Sequence, residues 1–277
     1  MKDQLSAVAE FRALHESGCF VLPNPWDVGS AVYLQHLGFK ALATTSAGFA
    51  FAQGLPDSVS AVSRELMLAH IRDVVKATHL PVNADFQNGY ADEPEGVAAS
   101  VSSCIAIGVS GLSIEDATGD GAHPLYQFNL AVERIRAARA AIDAAGVPVV
   151  LTARCEAYLV SEPDPGRVSL DRLIAFAEAG ADCLFAPGVR EPGEIAAMVK
   201  AVSPKPINVL VSSPNADLSV DRLADLGVRR ISVGSALARV AWGAFMRSAQ
   251  SLRDSGSFDT FAGAASFREI NEVMDQR

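Results

Sequence analysis

The 277 residues predict a single (β/α)8 barrel of the TIM type, α/β in class, with an additional C-terminal helical segment. Two patterns carry that expectation. A helical stretch, a glycine and a short apolar run recur five times, at Gly38, Gly108, Gly146, Gly180 and Gly227. Glycine just past a helix end supplies the left-handed cap that returns the chain to the next strand. Eight apolar runs of strand length also alternate with helical periodicity, as in a parallel sheet with helical crossovers. Eight such units close most simply into a barrel. A doubly wound open sheet is the alternative, weakened because no Gly-x-Gly-x-x-Gly follows the first strand.

In chain order the strands are expected at 19–22, 41–44, 82–84, 111–114, 149–152, 183–185, 207–211 and 230–233. Helices are expected over 27–37, 64–78, 94–107, 130–145, 169–179, 192–202 and 219–226. No linker interrupts the pattern, so one domain spans 1–277, with 256–277 as a helical tail. Residues 235–255 read as a helix whose Leu237, Val240, Ala241 and Phe245 share one side. A Ser255-Gly256-Ser257 break then precedes a second helical segment from 258 to about 275. The barrel closes without this tail, which is expected either to pack on a neighbouring subunit or to cap its own barrel.

Composition narrows the function. With 49% hydrophobic and 20% charged residues, the chain buries a substantial core. A formal charge of −9 and the lack of a basic run argue against a nucleic-acid partner. No apolar stretch approaches the roughly 20 residues that span a bilayer. Met1-Lys2-Asp3-Gln4 leads into a polar helix-like segment, unlike a signal peptide. Cys19, Cys104, Cys155 and Cys183 lack metal-type spacing and read as reduced, mostly buried thiols, which gives a cytoplasmic expectation.

Barrels of this kind place their active sites at the carboxyl ends of the strands. There the chain heaps polarity on its first five strands: Asn24 and Asp27, Thr44-Thr45-Ser46, Asp85 and Gln87, Glu115 and Asp116, Arg154 and Glu156. Asp85 and Glu115, with oxygens from Gln87 and the loop acid Asp57, fit a Mg2+ site, with Mn2+ as the alternative. Mg2+ takes oxygen ligands, keeps several waters and needs only one or two direct carboxylates. The competing reading makes these acids helix caps or arginine partners. Arg154 is expected to hold a substrate carboxylate through its two-pronged guanidinium, or else to pair with Glu156, Asp85 or Glu115. Thr45, Ser46 and Ala47, ahead of Gly48, present N–H groups and a hydroxyl to an oxyanion, or form an ordinary turn.

Absences count as well. The five lysines stand at 2, 40, 76, 200 and 205, none at a strand's carboxyl end, which disfavours Schiff-base chemistry. Nucleophilic triads and zinc motifs are missing. His123 alone among the five histidines falls in a loop above the expected site.

These residues resemble the isocitrate lyase/phosphoenolpyruvate mutase superfamily, from Phe11 to about Ala244. The carriers are Pro23-Asn24-Pro25-Trp26-Asp27, Thr44-Thr45-Ser46-Ala47-Gly48, Gly54-Leu55-Pro56-Asp57-Ser58, Asp85-Phe86-Gln87-Asn88-Gly89-Tyr90, Ile114-Glu115-Asp116 and Ala153-Arg154-Cys155-Glu156-Ala157. The resemblance implies a Mg2+-dependent barrel, commonly a tetramer with exchanged terminal helices. It implies bond cleavage in 2-oxo or 2-hydroxy carboxylic acids through a metal-stabilised enolate. By position, Asp57, Asp85, Gln87 and Glu115 match the metal-site residues. Thr45, Ser46 and Ala47 match the turn that binds the substrate's carboxylate and oxo groups, Arg154 matches the substrate arginine, and Trp26 and Asn208 complete the expected substrate-binding set. Arg154, Thr45, Ser46 and Glu115 are the expected catalytic residues.

Three departures refine the implication. Gln87 stands where the family usually has an acid, which predicts weaker Mg2+ binding. The 118–128 loop lacks the Lys-x-Cys-Gly-His segment of isocitrate and methylisocitrate lyases. It also lacks the lysine and asparagine of the phosphoenolpyruvate mutases, so His123 and Tyr126 are either replacement acids or surface residues of a lid. The leading expectation is a Mg2+-dependent lyase or hydrolase cleaving a C–C bond in a small, oxaloacetate-like 2-oxo acid, acting as a dimer or tetramer. P–C bond chemistry and a 2-oxo-acid binding protein without turnover are the alternatives.

Overall fold

The computed structural model describes residues 3–59 and 61–275, and in it eight parallel strands line up in the order β1-β8-β7-β6-β5-β4-β3-β2. The strands are β1 (Phe20–Leu22), β2 (Leu42–Ala43), β3 (Val82–Asp85), β4 (Gly111–Glu115), β5 (Val150–Arg154), β6 (Cys183–Phe185), β7 (Ile207–Leu210) and β8 (Arg230–Ser232). All eight fall where the sequence places them. The seam between β1 and β2 is closed by the Ala43 N–H donating to the Pro23 carbonyl at 3.0 Å. The buried Asn24 reinforces it, donating to the Thr44 carbonyl at 2.9 Å and accepting from the N–H groups of Val233 and Gly234. The result is the predicted barrel.

The helices are α1 (Gln4–Leu14), α2 (Val28–His36), α3 (Ser46–Ala52), α4 (Arg64–Ala77), α5 (Pro94–Ile105), α6 (Phe128–Ala145), α7 (Pro165–Glu178), α8 (Pro192–Val202), α9 (Val220–Asp225), α10 (Ala236–Ser255) and α11 (Phe267–Met274). The five glycines of the repeat all adopt positive φ, from 67° at Gly146 to 104° at Gly180, so each turns the chain as expected. Of the polar lead-in, Met1 and Lys2 lie outside the described residues, as do positions 60, 276 and 277 of the expected domain.

The main core fills the space between the strands and the surrounding helices, with Met67, Ile71, Val97, Val101, Leu112 and Ile135 almost fully buried. At the amino-terminal end α1 lies across the barrel floor. Its Phe11 is fully buried against Leu22, Ala41, Val150 and Cys183. Gly111 makes room for that ring, because a Cβ there would lie 2.7 Å from the Phe11 edge.

The tail departs from expectation in one respect. The helix expected from 258 to about 275 is broken: a 3-10 turn over Asp259–Gly263 is followed by α11. Ser266 restarts the helix through a capping box with Glu269. In the described chain α11 lies on α2, burying Val273 beside Ala31, Val32 and Leu34. By contrast α10 buries only Ala238 and leaves Val240, Trp242, Phe245 and Met246 exposed. Among the described residues no helix is long and apolar enough to cross a membrane. The four cysteines are free, three of them buried.

Candidate active site

The carboxyl ends of the strands open into one cavity of about 380 Å³. Its wall includes Thr45, Ser46, Ala47, Asp57, Asp85, Gln87, Glu115, Arg154, Glu156 and Asn208. Every residue of the expected site except Trp26 therefore faces the same space. Trp26 does not line it; its Cβ packs beside Gly48 at the start of α3.

Arg154, the last residue of β5, organises the rim. Its Nη1 lies 3.1 Å from Asp85 Oδ1, and its Nη2 lies 3.2 Å from Glu115 Oε2 and 3.1 Å from Glu156 Oε2. The Nε donates to the other Glu156 oxygen. Parallel register explains the grouping, since Glu115 on β4 is the direct neighbour of Arg154 on β5. Three acids thus surround one guanidinium. Burial opposes the arginine's charge, but Glu115, Glu156 and Asp85 together hold its pKa well above the usual value.

The acids respond in the opposite sense. Burial pushes the Glu115 carboxyl above the ordinary carboxylate range; Arg154 pulls it back, while Glu156 and Asp85 add to the rise. Asp57, on the loop over the cavity, is also raised, by partial burial and then by Asp85. Asp116 does not face the cavity. It accepts from the Glu156 N–H at 2.8 Å and pairs with Arg172 at 3.0 Å, so it braces the rim from behind.

Asp85 does two things at once. One oxygen holds Arg154, and the other accepts from the Ser46 N–H at 2.8 Å. The expected oxyanion turn is in fact the first turn of α3, with Thr45 as its N-cap accepting from Gly48 N–H at 3.2 Å. Gln87 sits in the left-handed region at φ 46°, and Tyr90 follows at 57°. For non-glycine residues such conformations cost energy and cluster at functional sites. The Gln87 Oε1 is buried and accepts no hydrogen bond among the described residues.

Among the described residues, no group of three or more His, Cys, Asp or Glu is arranged to hold a metal by itself. The donor set on the wall is nevertheless all oxygen: Asp57, Asp85, Glu115 and the unsatisfied Gln87 amide oxygen. That set fits Mg2+, which takes one or two carboxylates and completes its shell with water. The two replacement acids do not reach the cavity. The exposed His123 pairs with Asp120, and Tyr126 is buried against Asp92 and Asn88.

Below the rim lies a layer that the strand ends alone do not reveal: Asn83, Ser113, Thr152, Arg230 and Ser232, beside Asn208. Period-two alternation would have located it, because the residue two before each rim position points the same way. Asn83 precedes Asp85, Ser113 precedes Glu115 and Thr152 precedes Arg154 by that interval. Glu156, expected at the end of the fifth strand and as a partner of Arg154 but not as a site residue, also lines the cavity.

A barrel with this rim is an enzyme's barrel, and comparison with known proteins says of which kind: the chain is an enzyme of the isocitrate lyase/phosphoenolpyruvate mutase superfamily. It belongs to the phosphoenolpyruvate phosphomutase family, whose model matches residues 11–253. A structure of a candidate lyase/mutase from Burkholderia cenocepacia J2315 is 47% identical, covering 98% of this chain and 96% of its own at a TM-score of 0.93. The uncharacterized protein Rv1998c of Mycobacterium tuberculosis (strain H37Rv) is 33% identical over 226 residues, 81% of each chain. Oxaloacetate acetylhydrolase, solved with its product oxalate, is 28% identical with a TM-score of 0.86, covering 98% of this chain and 95% of its own.

Proposed function

We propose that this protein is a Mg2+-dependent lyase or hydrolase that cleaves a C–C bond in a small 2-oxo dicarboxylic acid of the oxaloacetate type. The observation that carries the reading is the single guanidinium of Arg154 held by Asp85, Glu115 and Glu156 on one cavity wall. Such a rim is too acidic to admit a dianion unless a cation offsets it. Its oxygen-only donors suit Mg2+, with Mn2+ as the substitute. The likeness to an oxaloacetate acetylhydrolase supports the substrate class.

In this reading Arg154 gives up part of its carboxylate shell to take the substrate's C1 carboxylate in a bidentate pair. Asp85 keeps the first turn of α3 in register by taking the Ser46 N–H, which leaves the Thr45 and Ser46 hydroxyls and the Ala47 N–H to face the 2-oxygen. Donors fixed where negative charge develops stabilise the transition state without reorganising. Glu115, ion-paired with Arg154 on the neighbouring strand, would stand with Asp57, Asp85 and Gln87 among the oxygens facing the metal. Mg2+, when bound, supplies a Lewis acid at the substrate's oxygens. A homo-oligomeric assembly fits the apolar face that α10 leaves uncovered.

The test is the purified protein with Mg2+ against oxaloacetate, phosphonopyruvate, phosphoenolpyruvate and 2-methylisocitrate. Release of oxalate or pyruvate from oxaloacetate is expected. Phosphate or phosphonate release would shift the assignment to P–C chemistry, and 2-oxo-acid binding without turnover would make the protein a binder.

A further inference from the structure

Arg230, the first residue of β8, is a buried cation that faces the cavity. It is 2% exposed and lines the floor of the same cavity. Its Nε donates to Asn208 Oδ1 at 3.0 Å, its Nη2 to Thr152 Oγ1 at 3.0 Å, and its Nη1 faces His15 Nε2 at 3.3 Å. All three partners are uncharged. Burial, then Arg230 itself, pulls His15 down to about 3, and its Nδ1 lies 2.7 Å from the Phe11 carbonyl, so the neutral ring presents its Nε2 lone pair to the arginine. Arg154 has three carboxylates, Arg172 has Asp116, and Arg134, held by the Asn88, Ala91 and Asp92 carbonyls, does not line the cavity. Among the described residues no carboxylate pairs with Arg230.

A guanidinium carries five N–H donors, so three acceptors leave capacity unused. A buried charge is normally paired, because withdrawing it from water is costly. Around Arg230 the inward-facing layer is neutral and polar: Asn83, Ser113, Thr152, Asn208 and Ser232. Barrel interiors are usually filled with branched apolar side chains at this level. Here a hydrophilic well leads from the rim down to an uncompensated cation, while the rim cation is already neutralised by its own acids.

We infer that Arg230 is the receptor for a second anionic group of the ligand, a carboxylate that enters the barrel while the 2-oxo acid head stays at the rim. The two levels are compatible with one small molecule. Thr152, which accepts from Arg230, precedes Arg154 by two residues on β5, a rise of about 7 Å along the strand. A four-carbon diacid spans that interval with a carboxylate at each level. The choice of a diacid rests on the reading under Proposed function; the anion site at Arg230 does not.

The experiment uses acetate as a probe with a carboxylate and no 2-oxo group. Thermal unfolding of the full-length wild type, Arg230→Gln and Arg230→Lys is followed against acetate at constant ionic strength. The wild type is expected to gain Tm saturably, Arg230→Lys to keep part of the gain and Arg230→Gln to lose it. An equal response in all three proteins, or none in the wild type, overturns the site. If Arg230→Gln does not fold, the wild-type response and Arg230→Lys still decide. Calorimetry with oxaloacetate and pyruvate then reads the substrate class: loss of Arg230 should weaken the diacid by about 10- to 100-fold and leave pyruvate unchanged. A saturable, Arg230-dependent acetate response without turnover of any 2-oxo acid would sink the proposed activity and leave the anion site standing.

Discussion

Arg154 Nη1 stands 3.1 Å from Asp85 Oδ1, across the rim from the first turn of α3 that the same carboxylate holds. The rim is therefore one connected unit: β3, β4 and β5 each end in a charge, and a single guanidinium joins them to α3. Removing that guanidinium leaves Asp85, Glu115 and Glu156 facing one another. Arg154→Met is expected to cost about 3–5 kcal/mol in denaturant unfolding, as for other broken buried pairs. Added Mg2+ should restore part of the loss, since a cation replaces the missing charge. A variant as stable as the wild type, with no response to Mg2+, would contradict this picture.

Gln87 offers a gain of function. Its buried Oε1 has no partner among the described residues, and an acid there would add one negative charge to the oxygen donors around it. Gln87→Glu is expected to tighten Mg2+ binding about tenfold, read by calorimetry or by Mn2+ competition. Unchanged affinity would remove Gln87 from the metal wall.

Most of the fold was legible in the residues. The five glycine caps marked five helix-to-strand returns, and all eight strands lie where their apolar runs placed them. The rim was legible too, because Asp85, Glu115 and Arg154 each follow such a run directly. What lay hidden depended on neighbours in space. Ser46–Ala52 has no polar face to reveal a helix and is only seven residues long. The break before α11 is set by the capping pair Ser266 and Glu269, which four residues of sequence contain and periodicity alone passes over. Arg230 reads locally as a polar residue at a strand start. Its isolation from acids is visible only once β5, β7 and α1 converge on it.

The uncovered face of α10 makes assembly testable. Phe245 is 60% exposed and packs edge-on against Trp242. A Phe245→Asp variant is expected to shift the mass in light scattering towards the monomer. A monomeric wild type would show that the tail serves only its own chain.

Acid should weaken the fold in a defined window. Burial pulls His15 from 6.5 down to about 3 and His70 down to about 4. A histidine with a depressed folded pKa stays neutral while the unfolded chain takes up a proton. The associated stability is whole above pH 6.5 and is lost progressively as pH falls towards 4. The histidine contribution to Tm should therefore be lost over that range, against the opposite contribution of the raised carboxyls Glu115 and Asp57, and His70→Leu should remove part of that loss. A variant whose Tm follows the wild-type slope would rule His70 out as a contributor.

The most direct probe of the central claim is calorimetric titration of oxalate into the wild type and Asp85→Ala, each with and without Mg2+. Tight binding should require Mg2+ and should weaken at least about 100-fold in the variant, because Asp85 both faces the metal position and holds α3 to the rim. Tight oxalate binding that ignores Mg2+, or that survives the loss of Asp85, would contradict the account; weak Mg2+-independent binding that Arg230→Gln removes belongs to the floor site.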